Sequence, residues 1–167
     1  MELVVVNGAN NIAKSLIRNL TSSGSKYNRV RMLDFNPYKT ASYNFQRELG
    51  ASGIQLDKRM TSNLGSLEVN LEGADKVVYV THDLFSMTSC KNNTLVATAK
   101  VAKKLGVKDV VAVCPVEHDM AFSDDSKSWI EKRQEAEQEA IGAHPKMQIL
   151  STDLVYGAPS HLVHYMH

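Results

Sequence analysis

The sequence is short of several things at once. Its 167 residues include two cysteines, four prolines and one tryptophan, and 19 Lys and Arg against 18 Asp and Glu leave a formal net charge of +1. So small a net charge makes no general field to gather nucleic acid or an anionic membrane, and no nucleic-acid partner is expected. Cys90 and Cys114 lie too far apart to match a metal or redox spacing, which points to two buried thiols in a reducing compartment. No apolar run approaches the roughly 20 residues that span a bilayer. The start has no charged segment leading into a long apolar one, so neither a secretory signal nor a direct membrane span is expected. The expectation is a soluble chain, cytoplasmic unless a removed transit peptide once sent it to an organelle. There is no internal repeat or low-complexity tract, and the length suits one domain with a sizeable core.

What is present is an alternation of apolar runs and helical spacing. Leu3, Val4, Val5 and Val6 form a run without polar interruption, Asn7-Gly8-Ala9-Asn10-Asn11 breaks it, and residues 12–20 carry apolar side chains at helical spacing. A strand without alternation is buried on both faces, the habit of a parallel sheet covered by helices. Further strands are expected at 29–35, 53–56, 76–81, 110–113 and 147–150. Helices are expected at 38–49, closed by Gly50 as a left-handed cap, and at 66–71, 92–105 and 126–141, the last begun by Ser123-Asp124-Asp125 and ended by Gly142 and Pro145. This is the order of βαβ units, and it predicts an α/β fold with a doubly wound parallel sheet of about six strands and helices on both faces.

In that architecture the first strand-to-helix turn is where a dinucleotide's pyrophosphate meets the amides of a helix N-terminus. Asp34 lies 26 positions after Gly8 at the end of the second expected strand. An acid there accepts hydrogen bonds from an adenosine ribose and repels a 2′-phosphate, favouring NAD over NADP. The competing reading is a solvated acid before the Asn36-Pro37 turn.

Several stretches together resemble the short-chain dehydrogenase/reductase superfamily, in its extended or atypical branch of NmrA-like and epimerase-like proteins. They are 11–17 (Asn-Ile-Ala-Lys-Ser-Leu-Ile), 92–113 through Ala99, Ala102-Lys103-Lys104-Leu105-Gly106-Val107 and Val110-Val111, and 149–157 ending Leu154-Val155-Tyr156-Gly157. The resemblance implies a single NAD(P)-binding, Rossmann-like domain over 1–167. Its cofactor-contacting positions would be Gly8, Asn10, Asn11, Ile12, Asp34 and Thr81.

The family's turn reads G-x-x-G-x-x-G. Here Gly8 fits the first position, the middle glycine is deleted, and Ala13 stands at the third. The middle glycine lets backbone approach the pyrophosphate without a Cβ. Its loss leaves a connecting turn and altered nucleotide binding as the two readings, with the Asn10 and Asn11 side chains as possible substitutes. NAD(H) or NADP(H) is therefore expected to bind weakly or structurally, if at all. The family's acid after the third strand is also displaced: Met60 falls at that position, and the nearest acid, Asp57, comes three residues early.

Family members catalyse with a Tyr and a Lys four residues later on one helix face, the Lys lowering the phenol pKa. Trp129 and Arg133 stand at those positions, the partner Ser is replaced where the fifth strand runs into Cys114-Pro115-Val116, and neither Lys132 nor Tyr156 restores the pair. An indole N–H does not titrate usefully. No catalytic residue is assigned, and a small-molecule substrate is not expected.

The chain stops at His167, and extended members continue with a substrate lobe, which is expected to be missing. The resemblance then implies a catalytically degenerate accessory subunit with protein partners. One such domain is the dehydrogenase-like accessory subunit of mitochondrial respiratory complex I, which would place the chain in the mitochondrion. The alternatives are an NAD(P)H-dependent reductase or epimerase-like enzyme and an NmrA-type nucleotide-sensing regulator.

His161, His164 and His167 sit three apart in a tail expected to be frayed or docked, so no metal site is assigned. His82-Asp83 reads as a solvated loop pair, and Cys114 as an inert buried thiol. Glu131, Glu135, Glu137 and Glu139, with Lys132 and Arg133, read as a solvated helix face. The alternative is a contact surface for the Lys100, Lys103, Lys104 and Lys108 region of another copy or another protein.

Overall fold

The computed structural model describes residues 1–22, 26–35, 43–61, 63–81, 94–115 and 124–152. Eleven elements alternate along them: β1 (Glu2–Val6), α1 (Asn11–Leu20), β2 (Arg29–Asp34), α2 (Tyr43–Ala51), β3 (Gln55–Met60), α3 (Leu64–Leu71), β4 (Lys76–Val80), α4 (Thr94–Lys104), β5 (Asp109–Pro115), α5 (Asp124–Ala143) and β6 (Gln148–Thr152). The strands form one parallel sheet in the order β3-β2-β1-β4-β5-β6. The expected doubly wound α/β fold is the fold observed.

The unbroken apolar runs are explained by two cores. One packs Val4, Val6, Leu33, Val77, Tyr79, Val110 and Ala112 against Leu67 and Leu71 of α3 and Leu95, Ala99 and Ala102 of α4. The other packs the alternate residues Leu3, Val5, Val30, Met32, Val78 and Val80 against Ala13 and Ile17 of α1 and Phe45 and Leu49 of α2. β1 and β4 thus give every residue after the first to one core or the other.

The structure corrects several boundaries. Gly50 lies inside α2, and the positive φ belongs to Gly53, at 76°. Gly53 is therefore part of the turn, and the third strand runs over Gln55–Met60 rather than 53–56. Its pairing with β2 continues from Gln55 opposite Arg29 to Met60 opposite Asp34. An edge strand can carry Asp57-Lys58-Arg59 in its middle, and that charge hides it from an apolar-run reading. Helix α5 continues through Gly142 to Ala143, and the His144 N–H closes on the Ala140 carbonyl at 2.9 Å before Pro145 stops the chain. Among the described residues no helix is long and apolar enough to cross a membrane, and no cluster of potential ligands could hold a metal. Cys90, His82, Asp83, Tyr156, Gly157, His161, His164 and His167 lie outside the described residues.

One polar group inside the sheet has no apolar counterpart. Arg31 is 5% exposed in the middle of β2. Its Nε donates to Glu2 Oε1, Nη1 to the Asn70 carbonyl and Nη2 to the Glu72 carbonyl, each at 2.6 Å. The Asn70 and Glu72 carbonyls at the C-terminal end of α3, which need donors once turned toward the core, are thereby satisfied by a strand side chain.

Candidate functional site

The strand order reverses direction between β1 and β4, and the carboxyl ends of these strands flank the crevice where ligands bind in such sheets. Asn7 ends β1 with φ 60°, a left-handed conformation that asparagine tolerates better than most residues. Its amide and that of Gly8 donate to the Leu33 carbonyl at 2.7 and 3.2 Å, and its side-chain Nδ2 donates to the Val80 carbonyl at 3.0 Å. The turn is thus tied to both neighbouring strands, β2 and β4.

Asn10 then caps α1. Its Oδ1 accepts the Ala13 N–H at 2.7 Å, its Nδ2 donates to the Asn7 carbonyl at 3.0 Å, and its own carbonyl accepts the Lys14 N–H at 3.0 Å. Both functional groups of the side chain are used inside the turn. Gly8 has a packing reason of its own: a Cβ there would stand 3.0 Å from Cβ, Cγ and Cε of Met32. Ile12 packs its side chain against the α1 core, while Asn11 is exposed at the helix start.

Asp34 is 7% exposed, which overturns the solvated reading. Its Oδ1 accepts the Ala9 N–H at 3.4 Å, and its carbonyl accepts the Thr61 N–H at 2.9 Å. Tertiary structure brings it back over the turn. Met60 lies opposite Asp34 in register, 53% exposed, whereas Asp57 sits three residues up the strand, held by Arg59 Nη2 at 2.7 Å.

A second polar cluster lies at the ends of β4 and β5. Thr81 is buried, its amide donates to the Val113 carbonyl at 3.0 Å, and its hydroxyl donates to Cys114 Sγ at 3.3 Å. Burial pushes the Cys114 thiol up to about 11; the Thr81 hydroxyl opposes the rise, and Glu137 reinforces it through charge. A thiol so placed stays protonated and is not a nucleophile at neutral pH. Across from it on α5, Arg133 Nε donates to Glu137 Oε1 at 2.8 Å, with the two side chains only 8% and 15% exposed.

The site thus unites Gly8, Asn10 and Asp34 around one turn, joined through Asn7 to Val80 at the end of β4, which Thr81 follows. Trp129 stands one helical turn before Arg133 on α5. The helix face expected to be solvated is instead divided: Arg133 and Glu137 are inward, and Glu139 is engaged by Lys100 Nζ at 2.9 Å within the chain. Lys104 likewise pairs with Glu68 at 2.7 Å, so these lysines meet acids of their own chain. The anchoring role of Asn7 went unread from the sequence, although Asn before Gly at a strand end is a signal for a left-handed residue. The Arg133–Glu137 contact could have been found from its i, i+4 spacing.

No family model matches the chain, and no curated protein matches it. Its fold is nevertheless shared with solved structures of the dehydrogenase, dehydratase and reductase type. The dTDP-glucose 4,6-dehydratase of Streptomyces venezuelae, solved with NAD bound, is 17% identical with a TM-score of 0.67, over 90% of this chain and 55% of that one. A triphenylmethane reductase of Citrobacter is 12% identical with a TM-score of 0.63, over 93% and 50%. A short-chain dehydrogenase/reductase of Veillonella parvula is 13% identical with a TM-score of 0.61, over 95% and 71%. The chain spans about half the length of the first two. At these identities the likeness establishes the Rossmann-type fold that NAD(P)-binding proteins use, and function has to be argued from the site.

Proposed function

We propose that the chain is a non-catalytic accessory or structural subunit of a larger protein assembly, built on an NAD(P)-binding fold. The observation that carries the reading is the Asn10 cap. In the nucleotide-binding arrangement the first-turn amides of α1 await a pyrophosphate, yet here the Ala13 N–H is satisfied by Asn10 Oδ1 and the Ala9 N–H faces Asp34. The described residues therefore do not fit a dinucleotide held in the usual way.

The second cluster supports the same reading. Where the family resemblance puts the catalytic Tyr and Lys, the chain has Trp129 and an Arg133 ion-paired to Glu137. The nearby Cys114 thiol stays protonated at neutral pH. These groups offer no poised acid or base. The dehydrogenase-like accessory subunit of mitochondrial complex I is the candidate setting, with neighbouring subunits as partners.

One observation favours a second reading. Asp34 is retained, buried, at the end of β2, so an NAD-selective sensor or reductase that rearranges its turn on binding is the competitor. Titration of the chain with NADH and NADPH separates them. Under the subunit reading neither cofactor, at millimolar concentration, changes its fluorescence or raises the melting temperature by the margin that binding linkage requires. Micromolar NADH binding would overturn that reading in favour of the sensor or reductase.

A further inference from the structure

The two edges of the sheet are built oppositely. β3 carries charge at Asp57, Lys58 and Arg59, half of its six residues. Charge guards an edge because a second chain pairing there would have to strip its water. β6 has neither charge nor proline, and among the described residues no strand pairs on its outer side.

An apolar row also runs out to that edge. Val80, Val113 and Leu150 are in register across β4, β5 and β6. Val80 is fully buried and Val113 is 8% exposed, but Leu150 is 51% exposed. The row belongs to the sheet face that α1 and α2 cover further in, while the neighbouring Ile149 packs into the opposite core. Among the described residues nothing guards the end of the row.

We propose that β6 is the pairing edge between two copies of this chain, joined antiparallel about a twofold axis through Leu150. The strand is self-complementary in that arrangement. Leu150 meets Leu150, Ile149 lies opposite Ser151 and Gln148 opposite Thr152, so no charge opposes a charge. The sequence places Lys146 just before the strand and Asp153 directly after it. Antiparallel pairing brings the lysine end of one copy to the aspartate end of the other, whereas parallel pairing would set like ends together. The two apolar rows then join into one, each Leu150 covering the other, and the outward backbone groups of β6, which no described strand pairs, gain ladder partners. The symmetric, closed contact limits the assembly to a dimer. This inference stands independently of the accessory role.

Sedimentation of the full chain from micromolar to submillimolar concentration tests it. A concentration-dependent dimer is expected. Leu150→Lys, which sets two ammonium groups opposite each other and removes both leucines, weakens it about tenfold or more, while Met60→Lys on the guarded edge leaves it unchanged. Covalent trapping is a second readout for the case where Leu150→Lys perturbs folding. Directly opposed residues of an antiparallel pair are about 4.5–5.5 Å apart at Cα, within disulfide reach, so Leu150→Cys links two copies on oxidation and Met60→Cys does not. A monomer at every concentration, a dimer indifferent to Leu150→Lys, or equal cross-linking at both edges would overturn the proposal. So would a monomer whose β6 amides are protected from hydrogen exchange, which assigns the edge to a strand of the same chain.

Discussion

Removing the Asn10 side chain tests the turn most directly. Asn10→Ala loses the cap on Ala13, at 2.7 Å, and the Nδ2 bond to the Asn7 carbonyl, at 3.0 Å. A cap of this kind contributes about 1 kcal/mol, within a range of roughly 0.5–2, and a partly buried neutral hydrogen bond about 1 kcal/mol more. The expected cost is about 2 kcal/mol, which for a chain of this size lowers the melting temperature by roughly 4–8 °C. Asn10→Asp separates the two contributions. Its carboxylate still accepts the Ala13 N–H and gains about 0.3–1 kcal/mol from the helix N-terminus, but it cannot donate to Asn7. The aspartate variant is therefore expected to lie between the alanine variant and the natural chain in equilibrium urea unfolding. Equal losses for Asp and Ala, or an alanine variant indistinguishable from the natural chain, would refute the reasoning that the turn is held by its own side chain.

Two further perturbations probe the frame around the site. Arg31→Lys keeps the charge but cannot reach Glu2, Asn70 and Glu72 together; leaving buried carbonyls unsatisfied costs about 2–4 kcal/mol, read as a lower urea midpoint at unchanged slope. Cys114 makes stability depend on alkaline pH. Its thiol titrates near 9 when unfolded and at about 11 when folded, so the folded chain holds the proton longer. The contribution is fully present below pH 9 and falls away as pH rises to 11, by roughly 2–3 kcal/mol. Cys114→Val, measured in a Cys90→Ser background, removes that slope.

The Asn10 effects originate in how the turn is closed. In nucleotide-binding turns, glycines keep side chains away so that the amides meet phosphate. Here asparagine side chains take up the same amides and carbonyls, and Asp34 folds back over Ala9. At Gly8 a Cβ would press on the Met32 side chain, which would have to shift to admit it. A residue that reads as a fingerprint of ligand approach thus has a packing reason as well.

The sequence by itself determined the order of elements and the parallel sheet. Leu3 to Val6, the valines of β4 and those of β5 have no polar alternation because both faces of the central strands are covered, and that burial is written directly into composition. Helix periods and terminal glycines were legible for the same local reason, with Gly73 and Gly106 adopting the positive φ that ends α3 and α4. Gly50 failed as a cap because propensity marks which residues can end a helix, while packing decides where it ends. β3 was misplaced because an edge strand need not be apolar.

Only tertiary structure decided the states of the charged groups. Asp34, Arg31, Arg133 and Glu137 have the composition of surface residues, yet their partners come from elsewhere in the fold or from the inward side of a helix. Whether a carboxylate is solvated depends on what the chain brings back over it. Sequence spacing contains that information only for partners one helical turn away, as with Arg133 and Glu137. The Asn10 cap lies between these cases: residue type and position announce a cap, and the return of its Nδ2 to Asn7 needed the three-dimensional turn.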